Sequence, residues 1–278
     1  MEENTNNSTT TPTETLQERL IIRVSRYSLS FSTVNLNADT ASVDFEPYNV
    51  RSGISMAANL REAYKTIGKL QKKYAKTMVF IDSPALIVPI DQYKEDEVQT
   101  FFHHAFPGSK SELVMANVLP DLNAVALYGI NKDLHLVIND NMEQPRIVNV
   151  MAPVWRYLHV RSFLGTHNKL FGYFHEKRLD IFSFNVNRFR FCNSFDTNSI
   201  HDAAYFLLNV WQQLALDASR DELYIVGDID DKEALQNELR RFLARAYVIN
   251  PTGDFNRSPV TQIKGIPYDL MTYLVKGR

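Results

Sequence analysis

A single cysteine, Cys192, stands in the chain of 278 residues, so no disulfide can close within it and no cysteine cluster can hold a metal. It sits in the strand-like run Phe189-Arg190-Phe191-Cys192 and reads as a buried structural thiol, not a nucleophile, which fits a reducing compartment. An excess of one charge is also lacking. Lys and Arg number 30 against 32 Asp and Glu, a formal net charge of -2, so nothing global draws the chain to nucleic acid or an anionic membrane. No apolar run reaches the roughly 18–20 residues that cross a bilayer. The best stretch, 206–216, is interrupted by Asn209, Gln212 and Gln213. The start Met1-Glu2-Glu3-Asn4 has neither the basic opening nor the apolar core of a secretory signal, and the expected location is cytoplasmic. A Walker A sequence, a dinucleotide fingerprint and a nucleophile elbow are all absent from the sequence.

What is present is a globular composition, 45% hydrophobic and 22% charged, with 17 Phe and 13 Tyr for strands to pack against helices. Residues 1–17, rich in Asn, Ser and Thr, read as a disordered tail. Strands are predicted at 20–24, 29–34 and 41–45, with polar turns at 25–27 and 35–40. A long helix should follow, with Met56, Leu60, Ala63, Ile67, Leu70 and Tyr74 as its apolar stripe and Ser55 as its cap. It leads into the apolar run 77–81, of the kind found in buried parallel strands. The second half repeats the pattern: strands at 170–174, 179–184 and 189–195, a helix carrying Ala203, Leu207 and Trp211, and a strand at 223–226. A helix at about 231–244 and a strand at 246–249 close it. The expected division is 18–166 and 167–278, with extra material at about 83–153 in the first half. That material should hold a helix at 95–106, strands at 112–118 and 124–128, a short helix at 131–139 and a strand at 146–150. A connecting helix at about 153–164 then joins the halves.

Two copies of a meander followed by alternating helices and strands resemble the plan of the actin-like ATPase superfamily. That α/β fold is a duplicated ribonuclease H-like unit, here with two βββαβ-type halves and an insertion in the first. Over about residues 18–255 the chain resembles an uncharacterised Bacteroidetes family of that fold and of unknown function. It is also similar in plan to actin-like scaffolding proteins of pilus and secretion machines. The resemblance implies that phosphates of ATP would lie at the hairpin turn after the first strand of each half, a turn typically Asp-x-Gly-like. Glycine there lets backbone amides approach the phosphates. The matching turns are Ser25-Arg26-Tyr27-Ser28 and His175-Glu176-Lys177-Arg178, without glycine and without the acidic-then-glycine order. The adenosine-binding glycines would follow the strand at 223–226, where Gly227-Asp228-Ile229-Asp230-Asp231 stands instead. A degenerate cleft would therefore be lined by Ser25, Arg26, Tyr27, Glu176, Lys177, Gly227 and Asp228, and neither ATP nor Mg²⁺ is expected as a cofactor.

Other polar features carry weaker signals. Asp228 and Asp230, joined by Glu176, could hold Mg²⁺, yet capping of the next helix by Asp230 or Asp231 is the preferred reading. A ribonuclease H-like nuclease needs a carboxylate on the first strand of a half, and neither 20–24 nor 170–174 supplies one. Arg61, Lys65, Lys69, Lys72, Lys73 and Lys76 would form a basic stripe on the long helix, either a partner-binding face or a solvated one. The histidines assemble into no metal set: His103 and His104 point apart, while His159, His167, His175 and His201 stand alone. The functional expectation is a nucleotide-independent scaffold or interaction module with an unknown protein partner. An atypical enzyme around Glu176, Asp228 and Asp230, or a nucleic-acid module using the basic stripe, are the alternatives.

Overall fold

The structure, a computed structural model, describes residues 18–35 and 42–276; the tail expected at 1–17 and most of the turn expected at 35–40 lie outside them. In the first half β1 (Glu18–Val24), β2 (Leu29–Asn35) and β3 (Ser42–Tyr48) form the meander, then α1 (Met56–Thr66) leads to β4 (Lys76–Ile81). Next come β5 (Ala85–Pro89), α2 (Val98–Ala105), β6 (Glu112–Leu119) and β7 (Ala124–Asn131). The half ends with α3 (Lys132–Asn141), β8 (Arg146–Asn149) and α4 (Met151–Ser162). In the second half β9 (Lys169–His175), β10 (Arg178–Asn185) and β11 (Arg188–Asp196) repeat the meander. They are followed by α5 (Ile200–Gln213), β12 (Glu222–Gly227), α6 (Lys232–Arg240), β13 (Ala246–Val248), α7 (Pro251–Asp254) and α8 (Tyr268–Lys276).

Sheet order states the duplication directly. The two main sheets run β3-β2-β1-β4-β8 and β11-β10-β9-β12-β13, antiparallel through the meander and parallel beyond its first strand. Their central strands β1, β4 and β9 are buried on both faces, which is why they read as continuous apolar runs. The edge strands β3 and β11 alternate between half-buried and exposed positions. Of the segment 83–153, residues Ala85–Asn131 build a separate sheet of order β5-β7-β6 with α2, whereas β8 is the fifth strand of the first main sheet. The C-terminal helix returns to the first half, where Tyr273 meets Phe80 edge-on with ring centroids 4.9 Å apart.

One expected element differs. The helix begins as expected, with Ser55 accepting from the Ala58 amide at 3.2 Å, but α1 stops at Thr66. Ile67 is extended, and a single 3-10 turn at Gly68–Gln71 carries the chain towards β4. Gly68 costs about 1 kcal/mol relative to alanine inside a helix. The β-branched Ile67 before it adds to the break. The basic stripe is therefore not one helix face. Arg61 and Lys65 lie on α1, Lys69 in the 3-10 turn, Lys72 beyond it and Lys76 at the start of β4. Lys69 is committed to Asp44 at 2.8 Å and Glu46 at 2.7 Å.

Candidate functional site

The cleft between the halves lies where β1 and β4 end opposite the β9–β10 hairpin, the carboxyl edge at which open α/β sheets place ligands. The two halves build this edge alike: the Asp82 amide donates to Val24 O at 2.9 Å, and the Asp228 amide donates to Phe174 O at 2.8 Å. Gly227 is fixed by that geometry. Its φ is +108°, and a Cβ there would lie 2.0 Å from the Phe174 carbonyl oxygen, so glycine is required by strand packing without any ligand.

In the first turn, the Ser28 amide donates to Ser25 Oγ at 2.9 Å and the Tyr27 amide does so at 3.3 Å. These are the donors that a phosphate-binding turn would present, and here the turn satisfies them itself. The hydroxyls of Ser25 and Ser28 in turn donate to Glu176 Oε1, that from Ser28 at 2.7 Å. Glu176 comes from the other half and holds φ of +56°, a left-handed conformation that costs a non-glycine residue roughly 1–2 kcal/mol. Its carboxylate thus stands where an external anion would be received. Arg26 and Lys177 are exposed, and Tyr27 is 54% exposed with Arg26 5.7 Å above its ring.

Behind this pair lies a buried ionic network. Asp82 receives Arg23 Nη2 at 3.2 Å, His175 Nδ1 at 2.9 Å and Arg178 Nη2. Asp180 receives His175 Nε2, Arg178 Nε at 3.1 Å and the Ser194 hydroxyl. Arg23 also forks onto Asp269 of α8 with contacts of 2.9–3.1 Å, and Tyr173 donates its hydroxyl to Asp269 at 2.8 Å. The Tyr173 ring stacks on His175 at 4.6 Å. Arg23, Asp82, His175, Asp180 and Asp269 are at most 4% exposed. Three cations thus meet three aspartates, with Glu176 at the rim. Each cation of the network is paired with at least one of its aspartates.

The charges set one another's ionisation. Burial alone would raise the Asp82 carboxyl, but His175, Arg178 and Arg23 hold it far below its ordinary value. Asp180 is lowered against the same burial by Arg178 and by its hydrogen bond from His175. For His175, burial opposes the charge; attraction to Asp82 and hydrogen bonds to both aspartates outweigh burial and Arg178, and its pKa is raised above 6.5. Both ring nitrogens face carboxylates, so the imidazolium is the form that satisfies them.

A stability profile follows. A raised folded-state pKa means that the His175 proton contributes fully below pH 6.5, and that this contribution is lost as pH rises through the raised value. Stability should then fall on the alkaline side by up to about 1.4 kcal/mol per pH unit, the effect of one proton. The lowered Asp82 and Asp180 act at the acid end: their contribution is present above 3.8 and lost as pH falls through their depressed values. Cys192 and Tyr173, both pushed up by burial, enter only above 9.0 and 10.0. Urea midpoints of the wild type and His175→Asn between about pH 6 and 8.5 check this. Parallel curves would refute it.

His175 is not the isolated histidine expected from the sequence: its partners lie 93 residues away and five residues away. Arg23, Tyr173, Asp180 and Asp269 were not singled out, although Arg23 and Asp180 are charged residues inside otherwise apolar strands, and a buried charge needs a partner. Asp231 caps α6, accepting from the Ala234 amide at 2.9 Å. Asp228 and Asp230 are exposed, and among the described residues no group of three or more His, Cys, Asp or Glu side chains is placed to hold a metal.

The family described as "Protein of unknown function (DUF3822)" matches residues 7–245. A Bacteroides thetaiotaomicron protein with actin-like ATPase fold and unknown function is 28% identical, over 91% of this chain and 98% of that one, with a TM-score of 0.81. A chain of the PilM-PilN type IV pilus biogenesis complex is 11% identical over 92% of this chain and 96% of that one, with a TM-score of 0.57. This second likeness shows the fold alone. No curated protein is similar enough to match.

Proposed function

The chain belongs to the DUF3822 family of unknown function and has the actin-like ATPase fold, and we propose that it uses this body as a nucleotide-independent scaffold or protein-interaction module. One observation carries the proposal: the cleft is filled from within, with Glu176 received by Ser25 and Ser28 and with Arg178 and His175 bound to Asp82 across the halves. An ATP molecule would have to displace the half-buried Glu176 carboxylate and bring about four negative charges to a network already balanced. The similar chain of the PilM-PilN type IV pilus biogenesis complex is a precedent for the same fold within a protein complex. Among the described residues no helix is long and apolar enough to cross a membrane, and work in the cytoplasm fits the single reduced Cys192. Calorimetric titration with ATP and Mg²⁺ tests the proposal. No binding is expected; micromolar affinity accompanied by phosphate release would overturn it.

A further inference from the structure

The first main sheet has a second end. Strands β1 and β4 finish at the ionic cleft, and Arg19 and Lys76, five residues back along them and so roughly 17 Å away, line a groove of about 1480 Å³. Its floor is the starts of three neighbouring strands, with Arg19 of β1 in register with Lys76 of β4 and Arg146 opening β8 beside Met78. Its walls come from α4 and α8. Six Arg and Lys side chains line it against three carboxylates, in a chain whose net charge is -2. Two of those carboxylates are taken: Asp121 pairs with Arg156 at 3.2 Å, and Asp254 pairs with Arg161. Arg19, Lys76, Arg146 and Lys276 form no ion pair with any described residue.

Apolar side chains line the groove as well. Val160 and Leu164, which line it, are 68% and 64% exposed, and Phe163 between them is 56% exposed. Large aliphatic and aromatic side chains left in water on adjoining positions mark a surface that another molecule covers. The volume exceeds the roughly 300–1,000 Å³ of small-molecule pockets, so a length of polypeptide suits it better than a metabolite.

We propose that this groove docks a segment of a partner protein that carries carboxylates for Arg19, Lys76 and Arg146 and an apolar side chain for the Val160–Leu164 rim. The assignment rests on reading the chain as an interaction module and supplies the partner's chemistry. A phage-displayed random-peptide library panned on the intact protein, with winners measured as labelled peptides by fluorescence anisotropy, tests it. Enriched sequences should combine Asp or Glu with Leu or Phe and lose affinity in salt. Binding should weaken about tenfold or more in K76E/R146E, the loss of two charge-assisted contacts, and also in V160S/L164S. Lys232→Glu on α6, an exposed residue that does not line the groove, should leave it unchanged, and thermal midpoints confirm that each variant folds. The proposal fails if no peptide is enriched, if the winners lack acidic residues, or if they bind K76E/R146E as well as the wild type. It fails equally if light scattering shows that the groove is covered by a second copy of the chain, or if RNA rather than peptide is held by these cations. ATP binding at the cleft would overturn the nucleotide-independent reading and leave the peptide result standing, so the two failures are distinguishable.

Discussion

Replacing Asp82 by alanine is expected to lower stability by about 3–5 kcal/mol, the cost of breaking a buried ion pair from one side. Asp82 is 4% exposed and faces Arg23, His175 and Arg178 at once. Without it, Arg23, His175 and the half-buried Arg178 would share Asp180 and Asp269. Each loses a partner that water cannot replace. Since His175 and Arg178 belong to the second half and Asp82 to the first, the same change should loosen the halves from each other. Urea denaturation should show a lower midpoint, and a broadened or split transition would report the uncoupling. Removing Arg178 as well should be milder than the two single losses added together, with a coupling of roughly 0.5–3 kcal/mol for residues in one network. Strict additivity, or a loss below about 1 kcal/mol, would mean that the cleft is not held by these charges.

How far this arrangement could be read from sequence depends on the range of each interaction. The duplicated plan was legible because it is written locally: alternation in the edge strands, apolar runs in the buried ones, and caps at Ser55 and Asp231. The absence of glycine from both turns was equally plain, and the fold explains it, since the first turn satisfies its own amides through Ser25. Two local misreadings had local causes. The helical stripe runs on through Gly68, and the five-residue β5 is hidden between Pro84 and Pro89, residues that argue against a strand. The network was illegible for another reason. Arg23 meets Asp269 across 246 residues and Arg178 meets Asp82 across 96, and no periodicity encodes a pairing at that separation. What the sequence does display is the unpaired half of each contact, a charged residue in a strand otherwise built for burial.

Asp269 carries the second large expectation. Its side chain receives Arg23 through two nitrogens and the Tyr173 hydroxyl, and all three residues are at most 4% exposed. It stands in the first turn of α8, which packs on the first sheet next to α4. Asp269→Ala should therefore cost about 3–5 kcal/mol, with the penalty falling on the C-terminal helix. Arg23 would keep only Asp82, already shared with His175 and Arg178. Asp269→Asn should lose less, because the amide oxygen still accepts from Tyr173 while the charge facing Arg23 is gone. Hydrogen exchange separates this account from general destabilisation: amides of α8 and α4 should lose protection well before those of β9 and β10. If every element of the fold lost protection together, α8 would be an ordinary part of one cooperative body and Asp269 merely one of its buried contacts. If α8 and α4 are released first, the Arg23 guanidinium couples β1 both to the cleft through Asp82 and to α8 through Asp269.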